Sequence, residues 1–329
     1  MRWLIVIYMA FIPLLAAGQS ASKADALFNK QEYAEASQIY QELLKKRPND
    51  ALYNYRFARC SYELKEYQTA VKHFEISGTR YPLRNYYLAE SYYQLYRFEE
   101  ALRYFTDYLQ QSAVNEVFKV NSERRIPGAT IGARLLNRVE YIEITDSIIV
   151  NKKDFLSSYE LSRETGKLEQ TISKNHKGQA VDLITFTTQR GDRKLFSDTT
   201  RHSVDLYMAN KLLDGWSNAE PLTSAINTDA NENYPFLLLD GLTLYYASDG
   251  DGSMGGYDIF MTRYSGVSND YLNPDNVGMP FNSLANDYML VIDEVNHAGW
   301  FASDRNLPAD KVAIYRIVYT GENKYLTND

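Results

Sequence analysis

The sequence predicts an α+β multidomain protein, in which an N-terminal α-helical solenoid of repeats precedes an all-β domain. In the first third of the chain, a pattern of aromatic, Ala and aromatic residues occurs three times, and its first two copies begin at Tyr33 and Tyr67. In the second half, another set of landmarks recurs at a longer period, between strand-like segments. Composition agrees, since Ala, Glu, Leu and Lys are common in the first part and Gly, Asp, Asn and Thr in the last.

Residues 1–18 have the composition of a secretory signal peptide. They carry one charge, Arg2, followed by an apolar run that is too short to span a bilayer comfortably. Ala16 and Gly18 satisfy the small-residue rule for cleavage, so we expect the mature chain to begin at Gln19. No later segment of the sequence reaches membrane-spanning length. We therefore expect an exported protein without a transmembrane span.

The single cysteine, Cys60, lies within a predicted repeat helix. The predicted mature N-terminus has no cysteine to accept a lipid, and no second cysteine exists for an intramolecular disulfide. We expect Cys60 to be a buried structural thiol rather than a reactive one.

Charge argues against nucleic acid as a partner. The formal net charge is −7 and the isoelectric point is about 5.3. Without a basic patch, the phosphate-neutralising interactions that dominate nucleic-acid binding are absent. No Lys/Arg-rich helix indicates binding to an anionic lipid surface either.

The helical repeats are predicted from residue spacing. Tyr33, Ala36 and Tyr40 lie on one stripe of a helix, where the small Ala lets a neighbouring helix approach closely. The later copies are Tyr67, Ala70, Phe74 and Phe98, Ala101, Phe105. At an equal distance before each Ala lie Ala24, Ala58 and Ala89, where a preceding helix would cross. This pattern resembles the tetratricopeptide repeat, which implies three helix-turn-helix units over residues 19–112.

A capping or connector helix is expected in residues 113–140. We predict that it covers Ile126–Val139 and begins at Pro127, since proline suits the first turn of a helix. Solenoids of this kind need such a cap on an exposed end repeat.

Three landmarks recur in the second half, in the same order in each copy. The first comprises Phe196-Ser197-Asp198, Ala247-Ser248-Asp249 and Ala302-Ser303-Asp304. The second follows it, as Asp205-Leu206-Tyr207, Asp258-Ile259-Phe260 and Ala313-Ile314-Tyr315. The third precedes each copy, as Ile172-Ser173, Ile226-Asn227 and Phe281-Asn282. A period of about 50 residues with several short strands is typical of β-propeller blades, so we expect about four blade-like units in residues 141–329.

The middle copy carries a closer resemblance. Its Gly215-Trp216-Ser217, Glu232-Asn233-Tyr234-Pro235 and Gly255-Gly256-Tyr257-Asp258-Ile259-Phe260 are similar to the WD-repeat-like propeller family related to the TolB propeller. The resemblance implies that residues 141–329 form a propeller, with Tyr159-Glu160-Leu161-Ser162 as the outer part of a further blade.

Few residues suggest chemistry. Asp249, Asp251 and Ser253 alternate as calcium ligands would, but the glycine and the bidentate acid of an EF-hand are replaced by Met254 and Phe260. Turn capping is the favoured interpretation of these residues. The four histidines are scattered without metal-ligand spacing. We expect no catalysis, cofactor or metal, while a paired-carboxylate glycosidase remains an alternative that the sequence alone leaves open.

A partner-binding groove is the predicted site. The resemblance to tetratricopeptide proteins implies that one face of each first helix lines it, with Asp25 and Asn29 at its start. The predicted groove residues are Tyr55, Arg59, Tyr62, Glu63, Tyr86, Glu90, Tyr93 and Gln94. Tyrosines suit such a surface because they supply rigid contact area with a polar tip. The alternative is that several of them pack between repeats.

The combination of signal peptide, tetratricopeptide repeats and propeller resembles periplasmic, outer-membrane-associated proteins of Gram-negative bacteria, in the type IX secretion and OmpA-associated group. This implies a non-catalytic exported scaffold that binds protein or peptide partners of the cell envelope through its groove and propeller face. The alternative is a carbohydrate- or peptide-binding propeller, including a hydrolytic one.

Overall fold

A computed structural model describes residues 20–112, 114–175, 177–200, 202–321 and 324–325, the last two by their backbone alone. The predicted signal peptide, residues 1–18, lies outside the described residues. The chain divides into two compact units, Met1–Ala133 and Arg134–Asp329. We call them the helical unit and the sheet unit.

The helical unit consists of helical hairpins followed by a longer helix. The helices are α1 (20–29), α2 (Tyr33–Lys46), α3 (Ala51–Glu63), α4 (Tyr67–Ile76), α5 (Arg84–Gln94), α6 (Phe98–Leu109) and α7 (Glu116–Leu136). We call α1, α3 and α5 the first helices, and α2, α4 and α6 the second helices. The last residues of α7, from position 134 onward, belong to the sheet unit.

Buried alanines and aromatic rings hold each hairpin together. Ala36, Ala70 and Ala101 of the second helices are 0% exposed, as are Ala24, Ala58 and Ala89 of the first helices. The rings of Tyr40, Phe74 and Phe105 are also fully buried. The predicted helical array is therefore confirmed, with its small residues at the helix crossings.

The hairpin turns use residues with positive φ. Gln31, Lys65 and Tyr96 lie between the two helices of successive hairpins and have φ of 64°, 62° and 59°. This left-handed conformation is uncommon for a residue with a Cβ, and here it recurs in the register of the repeat.

The helix α7 is longer than predicted. It begins at Glu116 rather than near Ile126, and Pro127 lies inside it. The Asn115 side chain accepts a hydrogen bond from Val117 N at 3.1 Å, which satisfies one of the free N–H groups at the helix start. Because proline removes only one donor, the helix continues through Pro127 on the bonds of its neighbours.

The sheet unit is built from short antiparallel strands. They are β1 (Glu140–Tyr141), β2 (Ile144–Asn151), β3 (Lys167–Lys174), β4 (Ala180–Thr187), β5 (Arg193–Thr199), β6 (Val204–Leu212), β7 (Gly215–Trp216), β8 (Glu220–Pro221), β9 (Glu232–Leu237), β10 (Thr243–Ser248), β11 (Asp258–Ser265), β12 (Asp270–Tyr271), β13 (Asp275–Asn276), β14 (Asp287–Asp293), β15 (Ala298–Ser303), β16 (Lys311–Val318) and β17 (Lys324–Tyr325). A 3-10 helix, Lys152–Ser158, follows β2.

These strands form three larger sheets and one pair. The first sheet has the order β3-β4-β5-β6-β7, with β8 also on β6, and the second has β12-β11-β10-β9, with β13 also on β11. The third sheet has the order β14-β15-β16-β2, so a strand from early in the chain completes it. Strands β1 and β17 pair with each other.

The landmark asparagines link one sheet to the next. The Asn282 side chain accepts a hydrogen bond from Ile259 N at 2.7 Å and donates one to Ile259 O at 2.8 Å. Asn227 makes the same two bonds with Leu206, at 2.8 and 2.9 Å. Each asparagine thereby satisfies backbone groups of β6 or β11 in the preceding sheet.

The Ser-Asp landmarks cap the start of the neighbouring strand. Asp249 accepts hydrogen bonds from Asn231 N at 2.8 Å and from Asn231 Nδ2 at 2.9 Å, and Asp304 accepts the same two from Asn286 at the same distances. Identical geometry in two sheets shows that the sequence repeat is a structural repeat.

The described residues differ from the predicted propeller in three details. The described residues contain a series of antiparallel sheets and do not show a closed ring, and residues 159–162 contain no strand. Ile172 and Ser173 lie in β3, whereas Ile226-Asn227 and Phe281-Asn282 lie in turns, so the first copy of that landmark is not equivalent to the others.

A continuous aromatic core connects the sheets. Phe155 of the 3-10 helix lies 6.1 Å from Tyr234 of β9 and 6.0 Å from Tyr288 of β14, between ring centroids. The Tyr159 hydroxyl donates a hydrogen bond to Met289 O at 2.8 Å. The segment after β2 thus fills the space among the sheets instead of adding a strand.

Candidate functional site

The predicted groove residues of α3 lie on the face that packs against the next first helix. The Arg59 guanidinium stands 3.3 Å above the centre of the Tyr87 ring in α5, and the Tyr62 ring lies 5.1 Å from the same ring. Glu63 accepts a hydrogen bond from Arg59 Nη2 at 2.9 Å. Arg59 is thereby held inside the stack, and it is only 8% exposed.

Three of the four predicted groove residues of α5 are covered by α7. The Tyr86 ring lies 4.7 Å from Phe118, and the Glu90 carboxylate accepts a hydrogen bond from Arg125 Nε at 3.2 Å. The Arg125 guanidinium also lies 4.8 Å from the centre of the Tyr93 ring. Tyr86, Glu90 and Tyr93 are 6%, 3% and 1% exposed, so they serve the packing of the array rather than an open groove.

Four members of the predicted set keep accessible surface. Tyr55, Tyr62 and Gln94 are half-buried, and Glu63 is exposed. Tyr55 stacks on Tyr81, with 4.2 Å between ring centroids and 12° between ring planes. Partner binding through these four residues stays a prediction.

Two residues beside the predicted groove, Arg56 and Phe28, were not revealed by spacing alone. At the first repeat, Asp25 Oδ1 lies 3.3 Å from Arg56 Nη1, and the Arg56 guanidinium lies 5.0 Å from the centre of the Phe28 ring. Asp25, Arg59 and Glu90 occupy equivalent repeat positions, and each contacts the next first helix or, at the end of the array, α7. We call these contacts the ladder. The sequence signal for it is a charged residue at the same repeat position in every copy.

Burial governs the titration of the ladder. It raises the pKa of the Glu90 carboxyl above its usual range, although Arg125 lies beside it and acts in the opposite direction. It also raises the pKa of the Tyr62 and Tyr86 hydroxyls, with the Glu90 charge as the next cause. These groups are therefore packed in a medium that disfavours charge.

Cys60 is fully buried in α3. Burial raises the pKa of its thiol to about 12, so the nucleophilic thiolate is scarce near neutral pH. This agrees with its interpretation as a structural residue.

A cavity of about 260 Å³ in the sheet unit is the second candidate site. It contains three tyrosines and several charged side chains above an apolar wall. Lining residues that bear on recognition are Glu140, Tyr141, Tyr245, Tyr319, Ile292 and Ile317. Sequence reasoning missed this cavity, since its residues come from α7, β1, β10, β11, β13, β14, β16 and the segments beside them.

Carboxylates dominate the surroundings of the cavity tyrosines. Burial is the main cause that raises the pKa of the Tyr319 hydroxyl, and the charges of Glu294, Asp240 and Glu140 raise it further. Burial alone raises the pKa of Glu140.

The calcium alternative gains no support from the geometry. Both carboxylate oxygens of Asp249 accept hydrogen bonds from Asn231, which is the turn-capping role. Across the described part of the chain, no cluster of three or more His, Cys, Asp or Glu side chains could hold a metal ion.

Helices of membrane-spanning length and apolarity are absent from the residues that the structure describes.

The chain is similar to known proteins in its tetratricopeptide repeats. The family model for this repeat matches residues 23–50. The Arabidopsis OM64 TPR domain aligns with a TM-score of 0.31 and 21% identity, over 33% of this chain and 93% of that chain. The Hsp90 co-chaperone Cns1 from Saccharomyces cerevisiae (delta69) aligns with a TM-score of 0.29 and 14% identity, over 52% of this chain and 65% of its own. No curated protein matches the chain.

The match at residues 23–50 falls on α1 and α2, the first hairpin. Together with the buried alanines of all three hairpins, it confirms that the chain contains tetratricopeptide repeats. Domains of this type generally bind protein partners.

Proposed function

We propose that this chain is a non-catalytic exported scaffold, periplasmic or associated with the outer membrane, that binds protein or peptide partners of the cell envelope. The observation that carries the proposal is the array of tetratricopeptide hairpins, α1 to α6. Stacked repeats present an extended surface for a partner. The accessible groove residues Tyr55, Tyr62, Glu63 and Gln94 are the proposed contacts on the helical unit.

Charge reversal on the groove tests the partner surface. The Glu63→Lys/Gln94→Lys variant is compared with Glu42→Lys/Gln38→Lys, which changes exposed residues of the second helix α2. Each variant loses one local ion pair, Glu63 with Arg59 or Glu42 with Lys45, and the first pair is the more buried. Thermal unfolding of both variants must therefore show that each is folded before their recoveries are compared. After cross-linking in envelope extracts, we expect the groove variant to recover about tenfold less partner than the control, or ~1.4 kcal/mol of binding. Equal recovery would remove the groove from the proposal.

Export rests on the composition of residues 1–18. Expression in a Gram-negative host, followed by mass spectrometry of the periplasmic fraction, is expected to give a mature chain that begins at Gln19. The Ala16→Arg variant should block cleavage, because it breaks the small-residue rule. An uncleaved wild-type chain in the cytoplasm would contradict export.

We also propose that the three larger sheets are blades of a WD-repeat-like, TolB-like propeller, as in the type IX secretion and OmpA-associated group. The repeated asparagine and aspartate hydrogen bonds support this, since they recur in the register of the sequence repeat with equivalent partners. An experimental structure in which further contacts join the first and third sheets into a ring is the expected result. An experimental structure in which the first and third sheets make no contact would refute it.

The cavity favours a second candidate function, a carbohydrate- or peptide-binding protein, including a hydrolytic one. A concave site with aromatic walls and a few polar groups is typical of ligand binding. Calorimetric titration with short peptides and oligosaccharides tests this candidate. Heat of binding that disappears in Tyr245→Ala would support it, and its absence for every ligand would refute it.

A further inference from the structure

We propose that the cavity of the sheet unit binds the cationic side chain, lysine or arginine, of an extended peptide, with Tyr245, Tyr319 and Glu140 as its recognition groups. This inference rests on the second candidate function and names its ligand. It is independent of the groove on the helical unit.

The size of the cavity suits one side chain. Its volume of about 260 Å³ lies just below the range of roughly 300–1,000 Å³ for sites that enclose a drug-sized ligand. A single long side chain with its adjoining backbone fits this space better than an oligosaccharide does.

The cavity wall suits an aliphatic stem. Ile292 and Ile317, both 3% exposed, line the cavity together with Leu290. They flank Gly299 in the register of the third sheet, where an added Cβ would lie 3.0 Å from Ile292 Cδ1 and 3.1 Å from Ile317 Cγ1. The missing side chain lets the two isoleucines form a continuous apolar surface, against which lysine and arginine methylenes can pack.

The charges around the cavity select a cation. Within the described residues, the Glu140 side chain has no hydrogen-bond or ion-pair partner, although the residue is only partly exposed. Glu143 and Asp275 are further carboxylates in the lining. Arg134 and Arg138 also line the cavity, so its charged lining residues are three carboxylates and two guanidinium groups. An ammonium or guanidinium group would therefore compensate Glu140, whereas an anionic ligand would meet repulsion.

The aromatic groups suit the same ligand. Among the described residues, the hydroxyls of Tyr245 and Tyr319 have no hydrogen-bond partner, and both residues line the cavity. Tyrosine faces attract cations through the ring quadrupole, and the attraction grows when the cation is desolvated. A neutral sugar would use the rings but would leave the Glu140 charge uncompensated.

Fluorescence anisotropy of labelled pentapeptides tests the inference on the full chain. The probes are Gly-Ser-Lys-Ser-Gly and the same peptide with norleucine or glutamate in place of lysine. We expect the lysine peptide to bind about tenfold more tightly than the norleucine peptide, as the loss of a charge-assisted contact predicts. The Glu140→Gln variant should remove this preference and leave the norleucine peptide unchanged.

The matched control is Glu220→Gln. Glu220 pairs with Met208 in the first sheet, and its position corresponds to that of the cavity residue Asp275, which pairs with Met261 in the second sheet. Glu220 itself is exposed and lies outside the cavity. It should keep the lysine preference. Unchanged thermal unfolding of both variants establishes that they fold.

Three outcomes would overturn the inference. Equal binding of the lysine and norleucine peptides, or tighter binding of the glutamate peptide, excludes selection of a cation. Binding of a neutral oligosaccharide, with no peptide binding, refutes this inference and leaves the second candidate function standing. No binding of any peptide or oligosaccharide refutes both.

Discussion

The two units connect their repeats by different interactions. In the helical unit, neighbouring helices meet through fully buried Ala70, Phe74 and their equivalents. In the sheet unit, Asn227 and Asn282 bind the backbone of the preceding sheet through paired hydrogen bonds. Both arrays have packed aromatic cores, but the sheet unit adds polar side chains that bind the backbone of the preceding repeat.

Backbone hydrogen bonding explains the difference. A helix satisfies its own N–H and C=O groups, so its neighbour needs only a complementary surface. A strand has unpaired backbone groups wherever no neighbouring strand pairs with it, and these groups must find partners when they are buried. In the third sheet, Ile314 of β16 pairs with Ile148 of β2, so a strand takes the place that an asparagine takes elsewhere.

The largest expected effect is in the packing of the helical unit. The Phe74→Ala variant should lower the free energy of unfolding of this unit by about 3–5 kcal/mol, because a fully buried ring leaves a cavity. Hydrogen exchange with mass spectrometry should show faster exchange in α3, α4 and α5. The exposed Gln68→Ala change in the same helix should have almost no effect. An equal loss of hydrogen-exchange protection in the sheets would show that the two units do not unfold separately.

The second prediction concerns pH and the sheet unit. Burial raises the pKa of Asp258 to about 7, above its usual value of 3.8. The folded protein therefore holds a proton that the unfolded chain releases, and stability falls as pH rises from about 4 to about 7, on the order of 3 kcal/mol. Urea unfolding across this range measures the slope. Asp258→Asn should reduce the slope, and an unchanged slope would contradict the assignment.

The third prediction tests the links between sheets. Asn282→Ala and Asn227→Ala should each cost about 2 kcal/mol, because each leaves a backbone N–H of the preceding sheet without its acceptor. Chemical unfolding measures the loss, and exposed Asn218→Ala is the control. Similar losses of stability in the two variants would show that the two asparagines make equivalent links. A negligible cost for both would show that packing, not hydrogen bonding, joins the sheets.

The smallest expected effect is at a helix end, where the helical unit also uses a side chain to bind the backbone. Asp50 accepts hydrogen bonds from Leu52 N and Tyr53 N, both at 3.1 Å, at the start of α3. Asp50→Ala should cost about 1 kcal/mol. Circular dichroism during thermal unfolding measures it, and Asp50→Asn, which keeps a capping oxygen, should recover most of the loss. No difference between the two variants would exclude capping as the cause.

Local patterns were predicted well because they depend on neighbours along the chain. Tyr33, Tyr67 and Phe98, the aromatic residues that opened each sequence pattern, are the first residues of α2, α4 and α6. The period of the landmarks identifies Asn282 and Asp304 in the sequence, and the structure shows the hydrogen bonds that they make. The helix α7 was predicted too short, because Pro127 was interpreted as a helix start.

The candidate sites were less predictable. Spacing placed Tyr86, Glu90 and Tyr93 on one face of α5, but it could not show that α7 covers that face. The cavity was missed for a similar reason, since Glu140, Tyr245 and Tyr319 lie far apart in the sequence.

The sequence by itself determined the two repeat arrays and most of the residues that share a face, since the side-chain periods of a helix and a strand are properties of the local backbone. Only the tertiary structure decided what covers each face. It buried part of the predicted groove under α7, completed the third sheet with β2 and enclosed a cavity lined by tyrosines and Glu140. These outcomes depend on contacts between distant segments, which no local pattern encodes.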